Sequence, residues 1–290
     1  MYITSVVFTL EGDAPTPSGP EVTPTANKNE WTFQMPAYDV EVGVVYETAL
    51  ALSEETDNTA TLDEWDGYEA DVTLTRSLTA GMWNTLAVPF DVDATTLSAI
   101  NAKLGLMGGG ITVKELTSSS YADGTLTLNF ATATSIKAGT PYLVKVTAPM
   151  ALNLATMPFT SAEVSKTAMP AETSAVDFIP TLGKTLVTGP AGDADNTNAV
   201  LFLAANNTLR TPTVVNDDTQ EASYMKGFRA YFHLKGEAAQ ARSFSLNMGD
   251  GESTGVQFVT TESQHTGQEA QTYDLQGRRV SPQTSHLSPL

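Results

Sequence analysis

Apolar and polar positions alternate with period two along most of the chain, the pattern of strands that bury one face and wet the other. Over residues 71–78, Val72, Leu74 and Leu78 fall on one face, Thr73 and Thr75 on the opposite one. Leu86, Val88 and Phe90 repeat the pattern, as do Leu126, Leu128 and Phe130 against Thr125, Thr127 and Asn129. Tyr142, Val144 and Val146 follow it, then Phe228, Ala230, Phe232 and Leu234, and finally Phe244, Leu246 and Met248. Residues 199–205 form one continuous apolar run, which predicts a central strand. Asp123-Gly124 lies between two of these segments and readily supplies the positive φ of a tight hairpin turn. A single helix is predicted where Leu97, Ile100 and Leu104 recur at helical spacing, with Asp93 or Thr95 as cap and Gly105 as stop.

These elements predict an all-β fold: an antiparallel β-sandwich, jelly-roll-like, over residues 71–252 with one short helix. A small N-terminal β segment over 1–48, an acidic junction over 49–70 and a flexible tail over 253–290 complete the expected organisation. Residues 13–24 are rich in proline and read as loop, and residues 52–66 are acidic and read as loose.

Charge and composition narrow the function classes. The 290 residues carry 33 acidic against 15 basic side chains, a net charge of −18. Such a surface repels phosphate backbones and anionic lipid, which argues against nucleic-acid partners. No apolar run approaches the roughly 18–20 residues that span a bilayer, so membrane insertion is not expected. Without cysteine there is no disulfide framework, thiolate nucleophile or thiolate metal site. An apolar content of 41% is near the globular average. A strongly negative, Thr- and Ser-rich surface also predicts a monomer. Met1-Tyr-Ile-Thr4 lacks the basic and apolar regions of a signal peptide, which leaves either an internal location or a start lying upstream.

Candidate chemistry is sparse. Asp193, Asp195, Asn196 and Asn198 gather hard oxygen donors in one loop and invite a structural calcium. An EF-type loop counted from Asp193 would need Gly at its sixth place and Glu at its twelfth, where Asn198 and Ala204 stand. No cofactor is therefore expected, a non-EF calcium at that loop being the alternative left open beside a solvated turn. Glu64, Asp66 and Glu69 near Trp65 and Tyr68 suit a sugar-binding or hydrolytic cleft, although an acidic surface explains them more simply. Trp83 opens a core strand, where packing is the expected role. Trp65, Tyr68 and Tyr121 sit beside polar turns and are the candidate ligand-binding aromatics. His233 falls on a strand beside Arg229 and Tyr231, while His265 and His286 lie in the tail, so no triad forms. Gly108-Gly109-Gly110 lacks the Lys-Ser/Thr of a phosphate loop and reads as a turn.

Three parts of the chain carry a family resemblance. Trp31-Thr-Phe-Gln-Met-Pro-Ala-Tyr-Asp-Val-Glu-Val-Gly-Val-Val-Tyr46 resembles the end of a small extracellular repeat of bacterial surface proteins. The second is an ordered set: residues 70–74, 78–92, 136–144, 228–232 and 243–251 resemble a β-rich module of secreted Bacteroidota proteins. Tyr273-Asp-Leu-Gln-Gly-Arg-Arg-Val280 is similar to the opening of a type IX-like C-terminal sorting domain, expected to be truncated because the chain stops at Leu290. The resemblance implies an exported protein, extracellular or on the outer cell surface, without a reaction of its own. The expected function is a non-catalytic module for adhesion, scaffolding or display, meeting a glycan or a host or cell-surface protein. A carbohydrate-binding accessory module is the alternative.

Overall fold

The computed structural model describes residues 2–10, 21–25, 29–35, 40–157, 159–187, 199–204, 207–210 and 224–249, together with the backbone of 253–258, 272–273 and 279–280. The chain divides into two compact units, Met1–Val259 and Thr260–Leu290. In the first, β1 (Tyr2–Leu10), β2 (Val22–Pro24), β3 (Trp31–Phe33) and β4 (Val40–Glu47) lead into β5 (Ala49–Ser53) and helix α1 (Thr59–Trp65). Then come β6 (Glu69–Thr75), β7 (Ser77–Leu78), β8 (Trp83–Leu86) and helix α2 (Ala94–Gly105). The hairpin of β9 (Gly110–Ala122) and β10 (Thr125–Thr132) is followed by β11 (Tyr142–Thr147), β12 (Leu152–Asn153), β13 (Phe159–Glu163), β14 (Ala171–Glu172) and β15 (Val176–Thr181). The unit finishes with β16 (Thr185–Leu186), β17 (Val200–Ala204), β18 (Thr208–Arg210), β19 (Tyr224–Met225), β20 (Arg229–Leu234), β21 (Ser243–Asn247) and β22 (Ser253–Phe258). In the second unit, β23 (Thr272–Tyr273) pairs antiparallel with β24 (Arg279–Val280).

The fold is all-β, and its main sheets are built from the alternating segments. The largest sheet has the order β22-β21-β10-β9-β11-β8, a second has β14-β15-β20-β17-β18, and a third has β13-β6-β5. Pairing is mostly antiparallel; β10 with β21 and β5 with β6 run parallel. Burial along β6 alternates strictly, with Ala70, Val72 and Leu74 inside and the intervening residues out. The predicted central strand is β17, held between β20 and β18. Helix α2 also forms as expected, with Asp93 accepting from the Thr96 N–H at 2.7 Å and Leu97, Ile100 and Leu104 buried.

Two hydrophobic cores result, and the six-stranded sheet contributes to both. On β11, Tyr142, Val144 and Val146 enter the first core, with α1, α2 and the three-stranded sheet. Leu143 between them enters the second, where Leu126, Leu128, Phe130, Phe244 and Leu246 meet Phe178 and Phe232 of the five-stranded sheet. Phe178 and Phe232 stack at 4.4 Å, and Phe130 meets Phe178 edge-on at 6.4 Å. Aromatic pairs of this kind add about 0.5–1.5 kcal/mol each beyond their buried area.

The stretch expected to be a loose acidic junction folds into the first core. Leu50 and Leu52 of β5 and Leu62 and Trp65 of α1 are buried there. Spacing explains the difference: Leu62 and Trp65 stand three apart on one helical face, so Asp63 and Glu64 turn outward and only the surface is acidic. The expected single helix thus has a companion. Strand β22 likewise extends the main sheet past residue 252 by pairing with β21. At the N-terminus, β1 pairs with β4 and β2 with β3, and Phe8 meets Phe33 edge-on at 4.8 Å. Val42 and Val44 nevertheless stay 40% and 38% exposed, a thin cover for an apolar ribbon face.

One cation lies deep in the interior. Arg76, 2% exposed, donates from Nη1 to the Phe228 carbonyl at 2.5 Å and from Nη2 to the Thr85 carbonyl. Glu54 accepts from Arg229 Nη2 at 2.6 Å and lies 3.8 Å from Arg76 Nη1. Burial, with the like charge of Arg229 beside it, brings the Arg76 pKa down to about 9, against the pull of Glu54. The group ties the corner after β6 to β8 and to the entry of β20.

Candidate functional site

A two-residue turn organises a surface depression. Asp123 and Gly124 take φ of 50° and 76°, positive at both central positions, which matches the right-handed twist of the flanking strands. Ala122 and Thr125 close the hairpin, and Leu126 pairs with Tyr121. The turn leaves the Gly124 carbonyl free of the hairpin ladder. It accepts the N–H groups of Arg242 at 2.9 Å and Ser243 at 3.2 Å, while Thr125 Oγ1 and Ser243 Oγ lie 2.7 Å apart. Strand β21 therefore starts parallel to β10 at the turn, and the 3-10 turn Gly236–Gln240 before it delivers Gln240 and Arg242 to the same place.

Together Tyr121, Asp123, Gly124, Gln240, Arg242 and Ser243 line a half-open depression of about 380 Å³. Tyr121 is half-buried with part of its ring on the second core, whereas Asp123, Gln240 and Arg242 are exposed. The lining brings together a tyrosine, an arginine, an aspartate and a glutamine around a space at the lower end of the roughly 300–1,000 Å³ of small-molecule sites. Asp123 and Arg242 do not form an ion pair with each other in it. It can stack a flat apolar face and bond polar groups at its rim.

The other two predicted aromatics lie elsewhere and behave differently. Trp65 is a core residue at 4% exposure, so its expected surface role is corrected: the helical turn that carries it points inward. Tyr68 is half-buried against the same core. Tyr2 meets Trp65 edge-on at 4.7 Å and Tyr68 at 5.8 Å, and its hydroxyl donates to Glu64 Oε1 at 3.0 Å. Desolvation, helped by Glu64 and Glu47, pushes the Tyr2 pKa up to about 12. This cluster joins β1 to α1. Trp83 packs at 5% exposure in the second core, the role expected of it, with Lys145 5.6 Å from its ring centre.

Two of the three carboxylates considered for chemistry, Asp66 and Glu64, have partners. Asp66 accepts from the Lys166 N–H at 3.0 Å, and Lys166 Nζ sits 3.1 Å from Asp63. Glu64 holds the Tyr2 hydroxyl, and Glu69 is exposed on β6. Among the described residues no three His, Cys, Asp or Glu side chains come together as metal ligands. Asp193, Asp195, Asn196 and Asn198, named for calcium, lie outside the described residues, as do His265 and His286. His233 sits half-buried on β20, opposite Asp177 of β15 and Val200 of β17. No helix among the described residues is long and apolar enough to cross a membrane.

Sequence patterning found Tyr121 and the turn but not Gln240, Arg242 or the role of Asp123 as a rim group. The parallel pairing of β10 with β21 joins residues 118 positions apart, and no local signal marks it. Comparison with family models, with curated proteins and with solved structures returns no match to this chain.

Proposed function

We propose that the chain is a non-catalytic β-sandwich module of a larger secreted or surface-attached bacterial protein, serving adhesion, scaffolding or display. The observation that carries this reading is the joint between the N-terminal ribbon and the main sheets. Strand β4 ends at Glu47 and β5 begins at Ala49, so one residue separates them. The carbonyl of that residue, Thr48, accepts the Asp71 N–H at 2.7 Å, and Tyr2 is clamped on Trp65 and Tyr68. A flexible linker would let neighbouring parts swing, whereas a strand continued through a hydrogen-bonded joint passes orientation and tension along the chain. That suits a unit in a projecting stalk or coat. The resemblance of residues 31–46 to a surface repeat and of 273–280 to a sorting domain supports export in a Bacteroidota-type bacterium.

A second reading, a carbohydrate-binding module, is favoured by the depression around Tyr121, which pairs an aromatic face with polar rim groups. A glycan array probed with the whole chain, with and without calcium, separates the two. Saturable binding that disappears in Tyr121→Ala supports the second and overturns a purely mechanical module. A blank array, with the native protein released from intact cells by external protease, supports the first. A protein protected from that protease overturns export.

A further inference from the structure

We infer that the Tyr121 depression is a site for an acidic saccharide, a uronic-acid residue of a glycan chain, with Arg242 as the group that selects its carboxylate. The inference rests on the carbohydrate-binding reading and deepens it.

Charge accounting supplies the reason. In a chain of net charge −18, most described cations are engaged within the fold. Lys137 pairs with Asp91, Lys166 with Asp63 and Asp66, Lys226 with Glu55, and Lys235 with Asp177. Arg76 and Arg229 share Glu54. Among the described residues Arg242 has no carboxylate within ion-pair distance, and the same holds for Lys103, Lys184 and Arg210; of these cations Arg242 is the one that lines the depression. Its backbone is nevertheless fixed, because its N–H and that of Ser243 both bond the Gly124 carbonyl. An arginine whose backbone is anchored, whose side chain has no carboxylate partner among the described residues, and which shares a depression with Tyr121 can offer a planar fork that matches a carboxylate with two hydrogen bonds.

The rest of the rim sorts the anion. A free phosphate or small carboxylate would use Arg242 alone and leave the Tyr121 face wet. A pyranose ring covers that face with its axial C–H groups, gaining dispersion contacts and removing apolar area from water. Its hydroxyls can then donate to Asp123 and exchange hydrogen bonds with Gln240. A carboxylate on one edge of the ring and hydroxyls on the other match Arg242 and Asp123 on one rim. The global negative charge opposes approach of a polyanion, but its field is screened within about 8 Å at physiological salt, so the contact itself decides. Affinity is accordingly modest and strongly dependent on salt.

The test is calorimetric titration of the whole chain at physiological ionic strength with trigalacturonate and, separately, cellotriose. Trigalacturonate is expected to bind saturably, and Arg242→Ala to weaken it about tenfold or more while the melting temperature stays unchanged, as for loss of a charge-assisted hydrogen bond. Arg242→Lys is expected to fall between the two, since it keeps the charge and loses the fork. Equal binding of cellotriose by the native chain and Arg242→Ala, lost in Tyr121→Ala, overturns the acidic-sugar assignment and leaves glycan binding standing. Trigalacturonate binding unaffected by Arg242→Ala overturns this site. No binding of either sugar by a folded chain overturns both the assignment and the carbohydrate reading of the depression.

Discussion

The chain places arginine beside carboxylate in two settings that look alike in composition and differ in consequence. At the first, Arg76, Arg229 and Glu54 lie between sheets, and the Arg76 guanidinium bonds the carbonyls of Phe228 and Thr85. At the second, Arg242 and Asp123 sit at a hairpin tip with the backbone fixed and the side chains uncommitted. Desolvation separates the two. A buried guanidinium must be met by the protein's own acceptors, because an unpaired buried charge costs several kcal/mol. An exposed one is hydrated and available, so its partner can be a ligand. Arginine near carboxylate therefore says nothing about function until its burial and its partners are known.

The comparison is sharpest if the interior site is broken. Arg76→Ala removes the guanidinium donor from the Thr85 carbonyl and from the Phe228 carbonyl, which keeps the Ala87 N–H at 3.2 Å, leaves Glu54 with Arg229 alone, and opens a cavity. A loss of about 3–5 kcal/mol is expected by urea denaturation, as for breaking a buried pair from one side. A loss under about 1 kcal/mol would mean that water replaces the guanidinium, and the burial argument would fail. Close behind comes Trp65→Ala, expected to cost about 3–4 kcal/mol as a large-to-small core change. The same substitution at half-buried Tyr121 is expected to cost less than half as much, which places the two aromatics in different classes by stability alone.

Much of the architecture was legible because each strand wets one face. Ala70, Val72 and Leu74, helix α2 with its Asp93 cap, and the Asp123-Gly124 turn all follow from local pattern. Helix α1 did not, because seven residues with only Leu62 and Trp65 buried give too short a period to read, and flanking acids mask it. Polar neighbours in sequence made Trp65 look exposed. On a helix the neighbours in space are residues three and four away, so its acidic flanks report only the outer face. The depression was half legible for a related reason. Tyr121 and the turn are local, whereas Arg242 arrives through a parallel pairing across the chain.

Two intermediate effects refine the comparison. Gly124→Ala puts a Cβ at φ 76° and is expected to cost about 1–2 kcal/mol while moving the Gly124 carbonyl that anchors Arg242. It should weaken any ligand affinity at the depression along with stability, whereas Arg242→Ala alters affinity alone. Tyr2 reports on the N-terminal joint through pH. Its phenol is raised from 10.0 to about 12 in the fold, so folding favours the neutral form. That stability is fully present below pH 10 and is lost as pH rises through about 12. Burial raises Tyr142 and Tyr231 as well, so the native chain loses stability from several phenols in this window. Tyr2→Phe should lessen the alkaline loss, and the difference between the two denaturation midpoints isolates the joint. Identical pH profiles would mean that Tyr2 is not held on Trp65 and Tyr68 in solution.

The smallest expected effect carries the most weight for function. Arg242→Ala removes an exposed side chain that bonds no carboxylate, so its cost in stability should lie within about 0.5 kcal/mol of zero. Its backbone N–H, which holds the Gly124 carbonyl, is retained in alanine, so the start of β21 stays in register with β10. Asp123→Asn should be equally mild, since asparagine also tolerates the positive φ of 50° found there. If instead Arg242→Ala lowers stability by more than about 1 kcal/mol, the guanidinium is engaged with the protein in solution and belongs with Arg76 as a structural cation. A neutral result leaves an arginine with its backbone fixed, its side chain without a carboxylate partner among the described residues, and Tyr121 in the same depression, a set of groups free to meet a ligand.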